Sequence, residues 1–252
     1  MAGVHARDGA GLMRGLLVAL GFLTRIPVPV RVFDDACAQR TSLAWYPMVG
    51  LIVGALLTGV FIVLPREHAL LSAALTLLAW VVLTGGLHLD GLADSADAWV
   101  GGFGDRARTL EIMKDPRSGP AGVTAVVLLL LLKFAALASL PVENAWLLWL
   151  SPLLARAALT AAFVATPYVR SGGLGTALKD APRAACIVAV LFGIGACFAC
   201  GLRGAIAVGA ATLVFVLWRR ACMRRIGGFT GDMAGALAEM TEVTVLVALV
   251  YA

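Results

Sequence analysis

Asp90, Asp94 and Asp97 stand four and three residues apart in the segment HLDGLADSADAW. On a helix, at about 100° per residue, the three carboxylates fall within roughly 60° of one another. Like charges at these spacings repel, and a hard divalent cation shared among the oxygens relieves the repulsion. Mg²⁺ suits such ligands and completes its shell with water and phosphate oxygen. The register therefore predicts metal-assisted chemistry on a phosphate compound, with Asp90, Asp94 and Asp97 as catalytic and metal-holding residues. Gly91, Ala93, Ser95, Ala96 and Ala98 lie between and beside the acids, leaving room for a bulky substrate or a neighbouring helix. A merely solvated acidic face needs no such register.

These acids belong to a polar island, residues 88–119, that holds six of the fifteen acidic residues of the chain. Within it, Lys114 and Arg117 are candidates to hold phosphate oxygens, with Asp115 between them, and His88 precedes the acids as a candidate substrate contact. A second island follows residue 218 and carries Asp232, Glu239 and Glu242. Asp232 and Glu239 are seven apart and share a helix face. The second-island acids are expected either to close the metal site or, for the two Glu, to pair with Lys133 and Arg156. Charges inside apolar runs belong in a bundle interior or a wet cavity, so Arg156 is expected to meet a phosphate or an acidic partner. Thr230 is expected to contact substrate or to cap a helix.

The elements that must position these groups are membrane helices. The 252 residues are 61% hydrophobic and 14% charged, with a mean hydropathy of +0.93, against about 45–50% and 25% for soluble domains. Seven apolar stretches are predicted to span, at about 43–64, 69–87, 121–140, 145–166, 184–200, 204–218 and 233–252. Residues 11–24 precede Pro27 and Pro29 and are short for a crossing, so an interfacial, re-entrant or spanning helix is expected there; residues 1–10 are expected to be loose. The fold class is all-α, a polytopic bundle forming one integral membrane domain, 1–252. Gly50 and Gly54 form a GxxxG contact motif. Cys197 and Cys200 sit in a run of small apolar residues and read as helix packing, and the SGGLG run at 171–175 matches no phosphate loop.

Loops at 25–42, 88–119, 167–183 and 219–232 carry three, four, three and four Lys or Arg, while those at 65–68, 141–144 and 201–204 carry one, none and one. The positive-inside rule places the first set, and with it the segments 88–119 and 227–242, in the cytoplasm. No interleaving of aromatic and basic residues points to nucleic acid, and no Walker loop, dinucleotide fingerprint or Ser–His–Asp set is present.

The blocks FLTRIPVP (22–29), WYPMVGLIVGAL (45–56), GGLHLDGLADSADAW (85–99), IMKDPRSGPAG (112–122) and GGFTGDMAGALAEMTE (227–242) resemble the cobalamin synthase family, from about residue 12 to the end. That resemblance implies a multi-pass enzyme of the bacterial inner membrane that depends on Mg²⁺. It implies the joining of adenosylcobinamide-GDP to α-ribazole or its 5′-phosphate, giving adenosylcobalamin or its 5′-phosphate and GMP. The lipid bilayer is the other expected partner, and homo-oligomerisation stays open. Two alternatives compete. CDP-alcohol phosphotransferases also carry a DG-initiated acid motif on a membrane helix, but DGLAD matches their DGxxAR pattern only in part. An ion-coupled transporter would place its acids at mid-membrane rather than at one face, and no inverted repeat is evident.

Overall fold

The computed structural model describes the backbone of residues 2–170 and 174–252, and side chains from residue 13 onward except those of residues 66 and 171–174. The described chain is helical throughout, with one isolated bridge between Tyr168 and Phe229. In order, the helices are α1 (Ala2–Leu23), α2 (Ala36–Ser42), α3 (Tyr46–Val63), α4 (Ala69–Thr84), α5 (Leu87–Gly101), α6 (Arg106–Ile112), α7 (Pro120–Ser139), α8 (Leu150–Ala165), α9 (Leu174–Leu178), α10 (Arg183–Phe198), α11 (Gly201–Ile226) and α12 (Gly231–Val250). All seven expected spans fall on helices of this set.

Five stretches are long and apolar enough to cross a membrane: Ala36–Val63, which joins α2 to α3, then α7, Val142–Ala165 ending in α8, α11 and α12. The other two expected spans are shorter, since α4 and α10 have 16 residues each, about 24 Å of helix. α4 reaches crossing length only together with α5, and the two meet at an 88° bend. The bend sits at Gly85 and Gly86, whose φ angles of 65° and 68° lie in the left-handed region that glycine enters without strain. α5 therefore lies across the bundle rather than along it, where the sequence suggested a span running straight into the acids. At the N-terminus the chain is helical from Ala2, and α1 contains the short apolar stretch Met13–Leu23.

Without a hydrophobic force between helices in lipid, small residues and polar pairs set the contacts. A Cβ on Gly50 would lie 2.5 Å from the Pro152 carbonyl oxygen, and one on Gly54 would lie 2.6 Å from Trp149 Cα. The GxxxG motif thus brings α3 against α8 as expected. α12 is the central helix and packs on α5, α7, α8 and α11. Leu70, Leu71, Leu128, Leu131, Leu191 and Phe192 face outward, the apolar girdle of a multi-pass membrane protein. All five cysteines are free, and Cys197 is fully buried.

Candidate active site

The crossing of α5 over the start of α12 builds the site. Gly91 faces Asp232, where a Cβ would lie 2.7 Å from the Asp232 carbonyl oxygen, and Gly235 faces the His88 backbone at 3.2 Å. Two glycines therefore let the helices touch through their backbones, which sets Asp90 and Asp94 beside Asp232. Thr230 caps α12 by accepting a hydrogen bond from Met233 N (3.3 Å), and its 1% exposure takes it out of substrate contact. The expected substrate role for Thr230 is corrected to the cap. Asp232 is thereby left free of capping and pairs with Arg170 Nη1 at 2.9 Å.

A cavity of about 520 Å³ opens at this crossing. It is lined by Asp90, Asp232, Arg170 and His88 together with Phe22, Tyr46, Leu159, Phe163, Tyr168 and Leu178. Residues of both polar islands thus meet at one end of the bundle. Asp94 stands one turn beyond Asp90. Burial, then the charges of Asp90, Asp232 and Asp97, push its carboxyl up to about 6, with Arg170 opposing. The site holds more negative charge than its own cations neutralise.

Asp97 has a different task. Its two oxygens accept from Gly119 N (2.6 Å) and Gly122 N (2.9 Å), satisfying backbone donors at the start of α7. A Cβ at either glycine would fall within 2.6 Å of that carboxylate. Asp97 thereby anchors the far end of the connection from α6 to α7. Lys114, Asp115 and Arg117 lie on that connection, outside the cavity wall. Lys114 and Arg117 are exposed, and Arg117 binds Asp115 through Nε at 3.0 Å and Nη2 at 2.8 Å.

The deeper charges form a second cluster. Lys133 Nζ donates to Glu239 at 2.7 Å and to Glu242; Arg156 Nη1 donates to Glu242, and its Nη2 lies 3.4 Å from His88 Nδ1. Lys133 also sits 4.5 Å from the Trp80 ring centre. Arg156 and Glu242 are fully buried and Glu239 is 4% exposed. Two cations are matched by two carboxylates, so each of these buried charges already has a partner within the protein. The metal roles expected for Glu239 and Glu242 and the substrate role for Arg156 are therefore corrected to mutual pairing, the other branch of the sequence reading. His88, only 5% exposed, lines the cavity and joins it to this cluster.

Three residues at or beside the site come from parts of the chain distant from the acids. Arg170 and Tyr168 come from a loop about 60 residues before Asp232. Arg225, near the end of α11, donates to the Ala98 and Trp99 carbonyl oxygens and to Thr109 Oγ1, satisfying the end of α5.

The family model for cobalamin-5-phosphate synthase matches residues 15–250. The chain belongs to that family. It is 52% identical to the adenosylcobinamide-GDP ribazoletransferase of Stutzerimonas stutzeri (strain A1501), over 94% of this chain and 98% of that protein. It is 50% identical to the protein of the same name from Pseudomonas paraeruginosa, over 94% and 98%, and 51% identical to that of Pseudomonas fluorescens Pf-5, over 91% and 96%. No solved structure matches the chain. Family membership makes this an enzyme and removes the transporter reading.

Proposed function

We propose that the enzyme transfers the cobinamide phosphate of adenosylcobinamide-GDP to α-ribazole or its 5′-phosphate, releasing GMP. The observation that carries this reading is the under-neutralised carboxylate group of Asp90, Asp94 and Asp232 at the mouth of a nucleoside-sized cavity. Names and lengths of the relatives support it. Because a 5′-phosphate would pass through unchanged, the attacking group is a secondary ribose hydroxyl. Its oxygen bonds to the phosphorus on the cobinamide side, the bridging P–O bond breaks, and the electron pair leaves with GMP.

The donor set fits Mg²⁺. Asp90 and Asp232 on the cavity and Asp94 a turn away are oxygen donors of the kind Mg²⁺ takes; among the described residues no three of His, Cys, Asp or Glu stand close enough to hold a metal by themselves. Asp90, Asp94 and Asp232 would hold it; bound there, Mg²⁺ would neutralise the diphosphate and stabilise the departing phosphate. Arg170 is placed to bind a phosphate oxygen and to keep Asp232 ionised. Asp97 holds the start of α7 and with it the connection from α6. A carboxylate of this group accepts the hydroxyl proton. The Lys- and Arg-rich loops support a reading in which this end of the bundle faces the cytoplasm.

The test is reconstitution. Purified protein in liposomes with Mg²⁺, adenosylcobinamide-GDP and α-ribazole should yield GMP and adenosylcobalamin in equal amounts, and EDTA should stop both. A CDP-alcohol substrate turned over in preference would overturn the reading.

A further inference from the structure

We infer that His88 is a fixed hydrogen-bond donor to the substrate, with its proton on Nε2, and that Arg156 is the positioning residue that fixes it. The inference rests on the proposed function for one point, that the acceptor is a phosphate oxygen of the substrate. Where the proton sits follows from the protein alone.

Three helices hold the imidazole. On α5 the His88 backbone is pressed against α12, where a Cβ on Gly235 would lie 3.2 Å from the His88 carbonyl oxygen. From α8, Arg156 Nη2 stands 3.4 Å from His88 Nδ1, and Arg156 is itself tied through Nη1 to Glu242 on α12. A guanidinium has five N–H donors and no acceptor. The ring nitrogen that faces it therefore accepts, so Nδ1 carries no proton and the ring keeps its one proton on Nε2.

The charges of the buried cluster agree. Lys133 and Arg156 already meet two carboxylates, those of Glu239 and Glu242. An imidazolium on Arg156 would set two cations face to face and add a third to a cluster with two anions, out of water. Asp90 and Asp232 line the same cavity as His88, but among the described residues neither is hydrogen-bonded to the ring.

Nε2 is left for a ligand. Among the described residues it makes no hydrogen bond, yet it is not sealed away like Arg156 Nε and Trp80 Nε1, which are buried with no partner. His88 borders the cavity, so its Nε2–H opens there, where water satisfies it until a better acceptor arrives. An anionic phosphate oxygen is that acceptor, and a donor already held in place needs no reorganisation as charge develops on it. The same tautomer takes His88 out of contention as general base. Nε2 has no lone pair for the hydroxyl proton, and Nδ1 is engaged by Arg156, so that task stays with a carboxylate.

Two amides separate the two nitrogens. His88→Asn keeps an acceptor for Arg156, Oδ1 in place of Nδ1, but is too short to reach where Nε2 stood. His88→Gln puts an amide N–H near the Nε2 position. In the full chain, in detergent or liposomes, His88→Asn should keep the unfolding temperature and slow cobalamin formation roughly tenfold to a hundredfold, the scale of one hydrogen bond to a charged oxygen. His88→Gln should restore most of the wild-type rate. The proton is read separately, by ¹⁵N NMR of histidine-labelled wild type without substrate or Mg²⁺. The His88 signals are those that vanish in the variants, the other histidines being His5 and His68. They should show Nε2 protonated and Nδ1 unprotonated. A proton on Nδ1, or on both nitrogens, overturns the inference. So does a His88→Asn protein as active as wild type, or a folded His88→Gln protein no faster than His88→Asn. If one variant misfolds, the wild-type spectrum and the other variant decide. A wild type that carries the Nε2 proton but forms no cobalamin would sink the proposed function and leave the proton where it is placed here.

Discussion

Two clusters of carboxylates lie a short way apart in this bundle, and they differ in one respect that separates structure from chemistry. Glu239 and Glu242 are matched charge for charge by Lys133 and Arg156 and are shut away from water. Asp90 and Asp232 line a cavity with Asp94 one turn beyond Asp90, and the cation paired among them is Arg170. In the first cluster the protein has completed the interactions itself. In the second it has left them open, and an open, negatively charged group at a cavity mouth is what a metal–diphosphate complex completes. Carboxylates entering a membrane helix are functional by default, yet here the deeper pair serves to lock α12 to α7 and α8.

The comparison can be broken in graded ways. The largest expected effect is on activity: Asp94→Asn should lower cobalamin formation at least a hundredfold, about 2.7 kcal/mol of transition-state stabilisation, with an unchanged unfolding temperature. Next is stability. Glu242→Gln strands two buried cations on one carboxylate and should cost about 3–5 kcal/mol, read as early unfolding in a denaturant titration. Replacing Lys133 and Glu239 together by Met and Leu removes a whole pair, leaves Arg156 on Glu242 and should cost far less than Glu242→Gln, with activity retained; an equal loss would mean the buried cluster does more than neutralise itself. Gly91→Ala drives a methyl into the Asp232 backbone and should cost about 1–3 kcal/mol, while lowering activity more than any other apolar change because it parts Asp94 from Asp232. The smallest is Asp115→Ala on the exposed connection, which should leave the unfolding temperature where it was.

The acid register, the helical segments and the GxxxG contact were legible because each depends on residues close in sequence. The 3.6-residue period put Asp90, Asp94 and Asp97 on one helix, and α5 is that helix. What escaped depends on distant partners. Nothing near Asp97 announces that its oxygens will meet Gly119 and Gly122, although the glycines themselves were visible. Arg170 reads as one more loop cation until Asp232 arrives beside it. Glu239 and Glu242 were equally consistent with metal or with Lys133 and Arg156, since spacing fixes a face and not what faces it. The 88° turn before α5 had its signal in the pair Gly85–Gly86, but a glycine pair permits a bend without requiring one.

The most direct measurement sets the two clusters against each other in one preparation. Wild type, Asp94→Asn and Glu239→Gln would be reconstituted side by side, each scored for Mg²⁺-dependent cobalamin formation and for resistance to unfolding. The account predicts that Asp94→Asn keeps its stability and loses its activity, whereas Glu239→Gln loses stability and keeps the activity of its folded fraction. An Asp94→Asn protein as active as wild type, or a fully folded Glu239→Gln protein with no turnover, would contradict it.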